Sequence, residues 1–127
     1  MKKKILMIDD DPEFVEAITN LLDDKGYLVR SAPNGVKGVE LAKELCPDLI
    51  LLDVMMTTKT EGFDVAREIN ETSDLKGTPV IMITGVRNDM NLPFGFEPDE
   101  DWLPVKEVLE KPIKPDILLK AVETHTK

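Results

Sequence analysis

The sequence predicts an α/β protein built as a doubly wound, five-stranded parallel sheet with helices on both faces. Short apolar runs without polar alternation, Lys4-Ile5-Leu6-Met7-Ile8, Leu49-Ile50-Leu51-Leu52 and Pro79-Val80-Ile81-Met82-Ile83, read as strands buried on both faces, the mark of a parallel sheet covered by helices. Segments with apolar residues at helical spacing separate these runs, so strand and helix alternate along the chain and imply right-handed crossovers. The runs also stop at reactive side chains, and an open parallel sheet carries all its C-terminal strand ends on one edge.

The first run stops at Asp9-Asp10-Asp11, where Asp11 is placed as N-cap and Pro12 as first helical residue. Phe14, Val15, Ile18, Leu21 and Leu22 recur at helical spacing until Gly26 ends the helix. Tyr27-Leu28-Val29-Arg30-Ser31-Ala32 reads as the second strand. Asn34-Gly35 opens a second helix whose apolar stripe is Val36, Val39, Ala42 and Leu45, and Cys46-Pro47 closes it, with Cys46 expected to be half-buried. The central strand runs from Asp48 to Asp53. A polar loop leads to a shorter helix over 62–70, with Phe63, Ala66 and Ile69 inward. The fourth strand ends at Thr84-Gly85, and the fifth, Val108-Leu109-Glu110, at Lys111-Pro112. Asp116 begins a last helix that packs down through Ile117, Leu118, Ala121 and Val122, and His125 lies in its exposed tail.

The stretch 86–104 breaks this rhythm. Pro93, Pro98 and Pro104 interrupt any long helix there, and Glu97, Asp99, Glu100 and Asp101 cluster. Phe94, Phe96 and Trp102 either pack over the sheet or form an exposed recognition loop.

A chain of 127 residues is within the size of one domain. Its net charge of -9 argues against nucleic acid or an anionic membrane as main partner. The single cysteine, Cys46, cannot form an internal disulfide, which points to a reducing, cytoplasmic compartment. No segment approaches membrane-spanning length.

Two unit charges about 4 Å apart repel by roughly 4 kcal/mol at an effective dielectric of about 20. Asp9, Asp10 and Asp53 gathered on one edge therefore need a cation or must take up protons. Magnesium fits best, because it takes one or two carboxylates, keeps several waters and completes its shell with phosphate oxygen, whereas calcium wants more protein oxygens. Helix capping accounts for Asp11 and leaves the other acids unexplained. At the same edge, the Lys111 ammonium and the Thr84 hydroxyl can neutralise and hydrogen-bond a phosphoryl group carried on Asp53.

Taken together, Asp9-Asp10, Asp53, Thr84-Gly85 and Lys111-Pro112 at the ends of the first, third, fourth and fifth strands resemble the receiver domains of two-component response regulators, the single-domain chemotaxis type in particular. The resemblance covers residues 1–127 as one receiver domain and implies a flavodoxin-like sheet of order 2-1-3-4-5, which such regulators commonly illustrate. It implies that Asp53 is the phosphoacceptor, that Asp10 binds Mg2+ directly and Asp9 through water, and that the Met55 backbone carbonyl is a further ligand. Thr84 would turn toward the phosphoryl group, Lys111 would pair with it, and Lys111-Pro112 would be a cis peptide.

The function implied is a phosphorylation-dependent switch, self-modifying and not a turnover enzyme. A sensor histidine kinase or phosphotransfer protein stands upstream and an unidentified protein target downstream, with no nucleic acid bound directly and no membrane. Three features depart from the family pattern: the loop Thr57-Thr58-Lys59-Thr60-Glu61 before Gly62, Val108 where a switch aromatic is usual, and the 86–104 stretch in place of a regular fourth helix. Met55 and Val86 stand where the resemblance puts the path of the attacking water, and since both are apolar it implies slow autodephosphorylation. A phosphorylation-independent interaction module on the same fold stands as the alternative. A phosphatase would want a second acid soon after Asp53, and Val54, Met55 and Met56 offer none.

Overall fold

The computed structural model describes residues 2–53, 61–73, 75, 77–84, 105–111 and 113–126. Its elements follow in the order β1 (Lys4–Ile8), α1 (Pro12–Asp24), β2 (Leu28–Ala32), α2 (Gly35–Leu45), β3 (Leu49–Asp53), α3 (Glu61–Glu71), β4 (Val80–Thr84), β5 (Glu107–Glu110) and α4 (Pro115–His125). The strands form one five-stranded, parallel sheet of order β2-β1-β3-β4-β5.

Alternation along the strands divides the core in two. Leu6, Ile8, Ile50, Leu52, Val80 and Met82 face Val39 and Ala42 of α2 and Val65, Ala66 and Ile69 of α3. Ile5, Met7, Leu49, Leu51, Ile81 and Ile83 face Ile18 and Leu22 of α1 and Leu118, Ala121 and Val122 of α4. All of β3 is buried, as expected of a central strand covered on both sides.

The helix boundaries follow from local chemistry. Asp11 caps α1, its Oδ1 accepting from the backbone N–H groups of Glu13 and Phe14 at 3.1 and 3.3 Å, and Pro12 follows at the first helical position. Gly26, at φ 92°, occupies the left-handed region just beyond the helix, where a side chain is strained. Asn34 Oδ1 accepts from Lys37 N–H at 3.0 Å and caps α2. Gly38 lets α2 lie close on β1, since a Cβ there would come within 2.6 Å of Ile8 Cδ1.

Four side-chain expectations and two element boundaries are corrected. Val36 is 73% exposed, so it does not belong to the buried stripe of α2, which is Gly35, Gly38, Val39 and Ala42. At about 100° per residue, Val36 and Leu45 fall on opposite sides of a helix and cannot share one face. Ile117, 47% exposed, lies at the margin of the α4 stripe of Leu118, Ala121 and Val122. Cys46 is exposed, at φ 50°, because it is the left-handed C-cap of α2. Tyr27 precedes β2, and Asp116 is inside α4, which starts at Pro115. His125 is half-buried, with Nε2 3.1 Å from Glu107 Oε2, because it lies seven residues after Leu118 and so shares its face of α4. The expectations for the 54–60 loop, the Phe63 side chain and the 86–104 stretch fall outside the described residues.

Candidate phosphoacceptor and metal site

The register of the sheet brings two acids together. Ile8 pairs with Leu52, and the next residue along each strand is an aspartate, Asp9 and Asp53. Asp9 stays in line after β1 because its N–H donates to the Ala32 carbonyl at 3.1 Å. One step further along the sheet Thr84 pairs with Glu110, and the Lys111 N–H donates to the Thr84 carbonyl at 2.7 Å, which fixes where the lysine leaves β5. Asp53 shares its strand face with Leu49 and Leu51, on the α1 and α4 side; Thr84 shares the opposite face with Val80 and Met82.

Asp9, Asp53 and Thr84 are buried, each 4% exposed, while Asp10 is exposed. Each of Asp9, Asp10 and Asp53 offers a carboxylate oxygen, and the three atoms lie within 4.8 Å of one another. Asp9 Oδ1 accepts from the Asp11 N–H at 2.9 Å. Asp9 Oδ2 lies 3.2 Å from Lys111 Nζ, a charge contact, and no described residue gives this buried oxygen an aligned hydrogen bond. Burial raises the Asp9 pKa above its ordinary value; the Asp11 N–H and Lys111 oppose the shift without cancelling it. Asp9 and Asp10 also line an open cleft of about 410 Å³ between α1 and the end of β2, giving solvent access from that side.

The donor set fits a hard divalent cation. Among the described residues, a buried carboxylate oxygen without an aligned donor, one exposed acid and a third at the end of β3 offer oxygen ligands to one point. Three carboxylates gathered here, with the Lys111 ammonium 3.2 Å from one of them, hold negative charge for such an ion to offset. The structure thus brings together Asp9, Asp10 and Asp53, ties Lys111 to Asp9 and sets Thr84 one step along the edge. Met55, Val86 and Pro112 lie outside the described residues, as do the expectations attached to them. Val108 is half-buried against the α2 and α3 side of the core.

One residue at this site was missed. Phe14, in the first turn of α1, places its ring centroid 4.2 Å from Lys111 Nζ. Its signal in the sequence was only its position three residues after the Asp11 cap, which fixes it in the turn nearest the acids.

Comparison with known proteins bears on the family and the fold. The response regulator receiver domain matches residues 5–123. The DNA-binding dual master transcriptional regulator RpaA of Synechocystis sp. is 34% identical over 119 residues, which cover 94% of this chain and 47% of that protein. Protein PilH of Pseudomonas aeruginosa is 29% identical, covering 94% of this chain and 93% of its own length. The chain spans about half the length of RpaA and of the mycobacterial MtrA regulators it also matches. The chemotaxis protein CheY4 of Vibrio cholerae superposes with a TM-score of 0.80 at 26% identity, covering 98% of both chains. In sequence and in fold, the chain belongs to the response regulator receiver domain family of two-component systems.

Proposed function

We propose that the protein is a phosphorylation-dependent switch in which Asp53 accepts a phosphoryl group from a histidine kinase or phosphotransfer protein. In this reading an Asp53 carboxylate oxygen attacks phosphorus in line, the bond to the donor's imidazole nitrogen breaks, and the product is an acyl phosphate. Mg2+, held by Asp9, Asp10 and Asp53 together with the Met55 backbone carbonyl, would supply charge compensation on the transferring oxygens. Lys111 pairs with those oxygens, and the Thr84 hydroxyl donates to one of them once the group is in place.

Support comes from one observation above the rest. Among the described residues, Asp9 Oδ2 is buried beside two further carboxylates with the Lys111 ammonium near it and no aligned hydrogen-bond donor, an arrangement that costs stability unless a cation is bound. We further propose that residues 1–127 act as one receiver unit that works through a protein partner and turns over no separate substrate. A cytoplasmic setting fits the exposed Cys46 thiol, which stays reduced there.

Val108, packed half-buried where the family usually carries an aromatic switch, favours a second reading in which the fold docks partners without phosphorylation. Intact-protein mass after incubation with acetyl phosphate separates the two. The switch requires a magnesium-dependent phosphoryl adduct that Asp53→Asn abolishes. No adduct, under conditions that modify a control receiver, would leave the docking module standing.

A further inference from the structure

The Phe14 ring has no part in the phosphoacceptor chemistry as described so far, yet it closes a circuit of contacts at the site. Asp9 Oδ1 accepts from the Asp11 N–H at 2.9 Å, and Asp11 Oδ1 accepts from the Phe14 N–H at 3.3 Å. The Phe14 ring centroid lies 4.2 Å from Lys111 Nζ, and Lys111 Nζ lies 3.2 Å from Asp9 Oδ2. The ammonium thus contacts both a carboxylate and an aromatic ring, with the lysine side chain 22% exposed.

We infer that Phe14 is a positioning residue for Lys111, holding the ammonium at the acid cluster before phosphoryl transfer; the inference rests on the phosphoacceptor reading above. A lysine has four rotatable carbons and three donors, and freed into solvent it spends most of its time away from the site. A cation within about 6 Å of a ring centroid is attracted by the ring's quadrupole, with no competing hydrogen-bond demand. The ring therefore restrains the lysine without using a donor that the phosphoryl oxygens will need. The backbone of Phe14 is anchored by the Asp11 cap, and its side chain packs against the α1 and α4 side of the core, so the seat is rigid on both counts.

The test uses wild type, Phe14→Leu and Phe14→Tyr, each also in a Lys111→Met background, with Phe14→Met as a second aliphatic variant should the leucine fail to fold. By proton NMR without phosphodonor, the Lys111 ε-methylene signals should lie upfield in wild type and Phe14→Tyr, shifted by the ring current, and return to ordinary positions in Phe14→Leu. With acetyl phosphate and Mg2+, Phe14→Leu should be modified about two- to fivefold more slowly, the change expected for a surface cation–π contact, while Phe14→Tyr stays near wild type. In the Lys111→Met background, Phe14→Leu should cause no further slowing. Unshifted ε-methylene signals in wild type, an unchanged rate in Phe14→Leu, or equal slowing with and without Lys111 would each overturn the inference. A wild type that takes no phosphoryl group would defeat the phosphoacceptor reading itself, and this inference with it.

Discussion

The two edges of the sheet each carry an aspartate and a lysine, and they treat them differently. At the amino-terminal edge Asp48 and Lys4 form a closed pair: Lys4 N–H donates to Asp48 Oδ2 at 2.8 Å, and Asp48 N–H donates to the Lys4 carbonyl at 2.8 Å. The Lys4 ammonium then donates to the Leu45 carbonyl at the end of α2. At the carboxyl-terminal edge Asp9 is more buried, lies beside two other acids with Lys111 against it, and has an oxygen without an aligned donor among the described residues. The same two residue types stabilise the fold at one edge and hold charge against it at the other. A buried acid left without its full set of donors is a cost that a folded protein retains where a ligand relieves it.

The largest expected effect separates the edges by magnesium. At a hundredfold excess over its dissociation constant, Mg2+ should stabilise the wild type in urea unfolding by about 2.7 kcal/mol. Asp10→Asn should lose most of that gain, and Asp48→Asn should keep it; equal gains in both variants would erase the distinction. Next, Asp48→Ala should destabilise by about 1–2 kcal/mol by leaving the Lys4 N–H without its acceptor, as read from the urea midpoint.

Asp9 predicts the opposite sign. Because its pKa is raised in the folded state, the native protein binds a proton that the unfolded chain does not between the ordinary value of 3.8 and its own. Stability from this group therefore falls as pH rises through the folded pKa and recovers on acidification. In chelator, Asp9→Asn should be more stable than wild type at neutral pH, with the margin shrinking as pH falls toward 4; a margin that grows on acidification would contradict this. The smallest effect is at Cys46. Relieving its left-handed backbone with Cys46→Gly should stabilise by about 0.5 kcal/mol, since the strain of roughly 1–2 kcal/mol is partly offset by the freedom of glycine in the unfolded chain. Being at the amino-terminal edge, it should leave magnesium binding unchanged.

Much of this was legible in the chain. Apolar runs ending in acids place the strands and put Asp9 and Asp53 at the same edge of a parallel sheet, but only the adjacency of β1 and β3 sets them side by side. The strand order 2-1-3-4-5 came from the family resemblance, because apolar runs alone do not say which strands are neighbours. The α2 stripe was misjudged because two of its four buried residues are Gly35 and Gly38, which carry no apolar signal, while Val36 carries a strong one and points away. His125 was placed in an exposed tail because polarity was weighed and its phase with Leu118 was not. The Phe14 contact with Lys111 joins residues nearly a chain length apart, and helical spacing accounts for Phe14 fully as a core residue, so nothing in the sequence asks for a second role.

The most direct test is to locate the phosphoryl group. Borohydride reduces an acyl phosphate to the alcohol, so treating the protein with acetyl phosphate and Mg2+, then borohydride, and sequencing its peptides by mass marks the modified side chain. The phosphoacceptor assignment predicts reduction at Asp53 alone, absent when Mg2+ is chelated. Reduction at Asp9 or Asp10, or equal labelling without Mg2+, would contradict it.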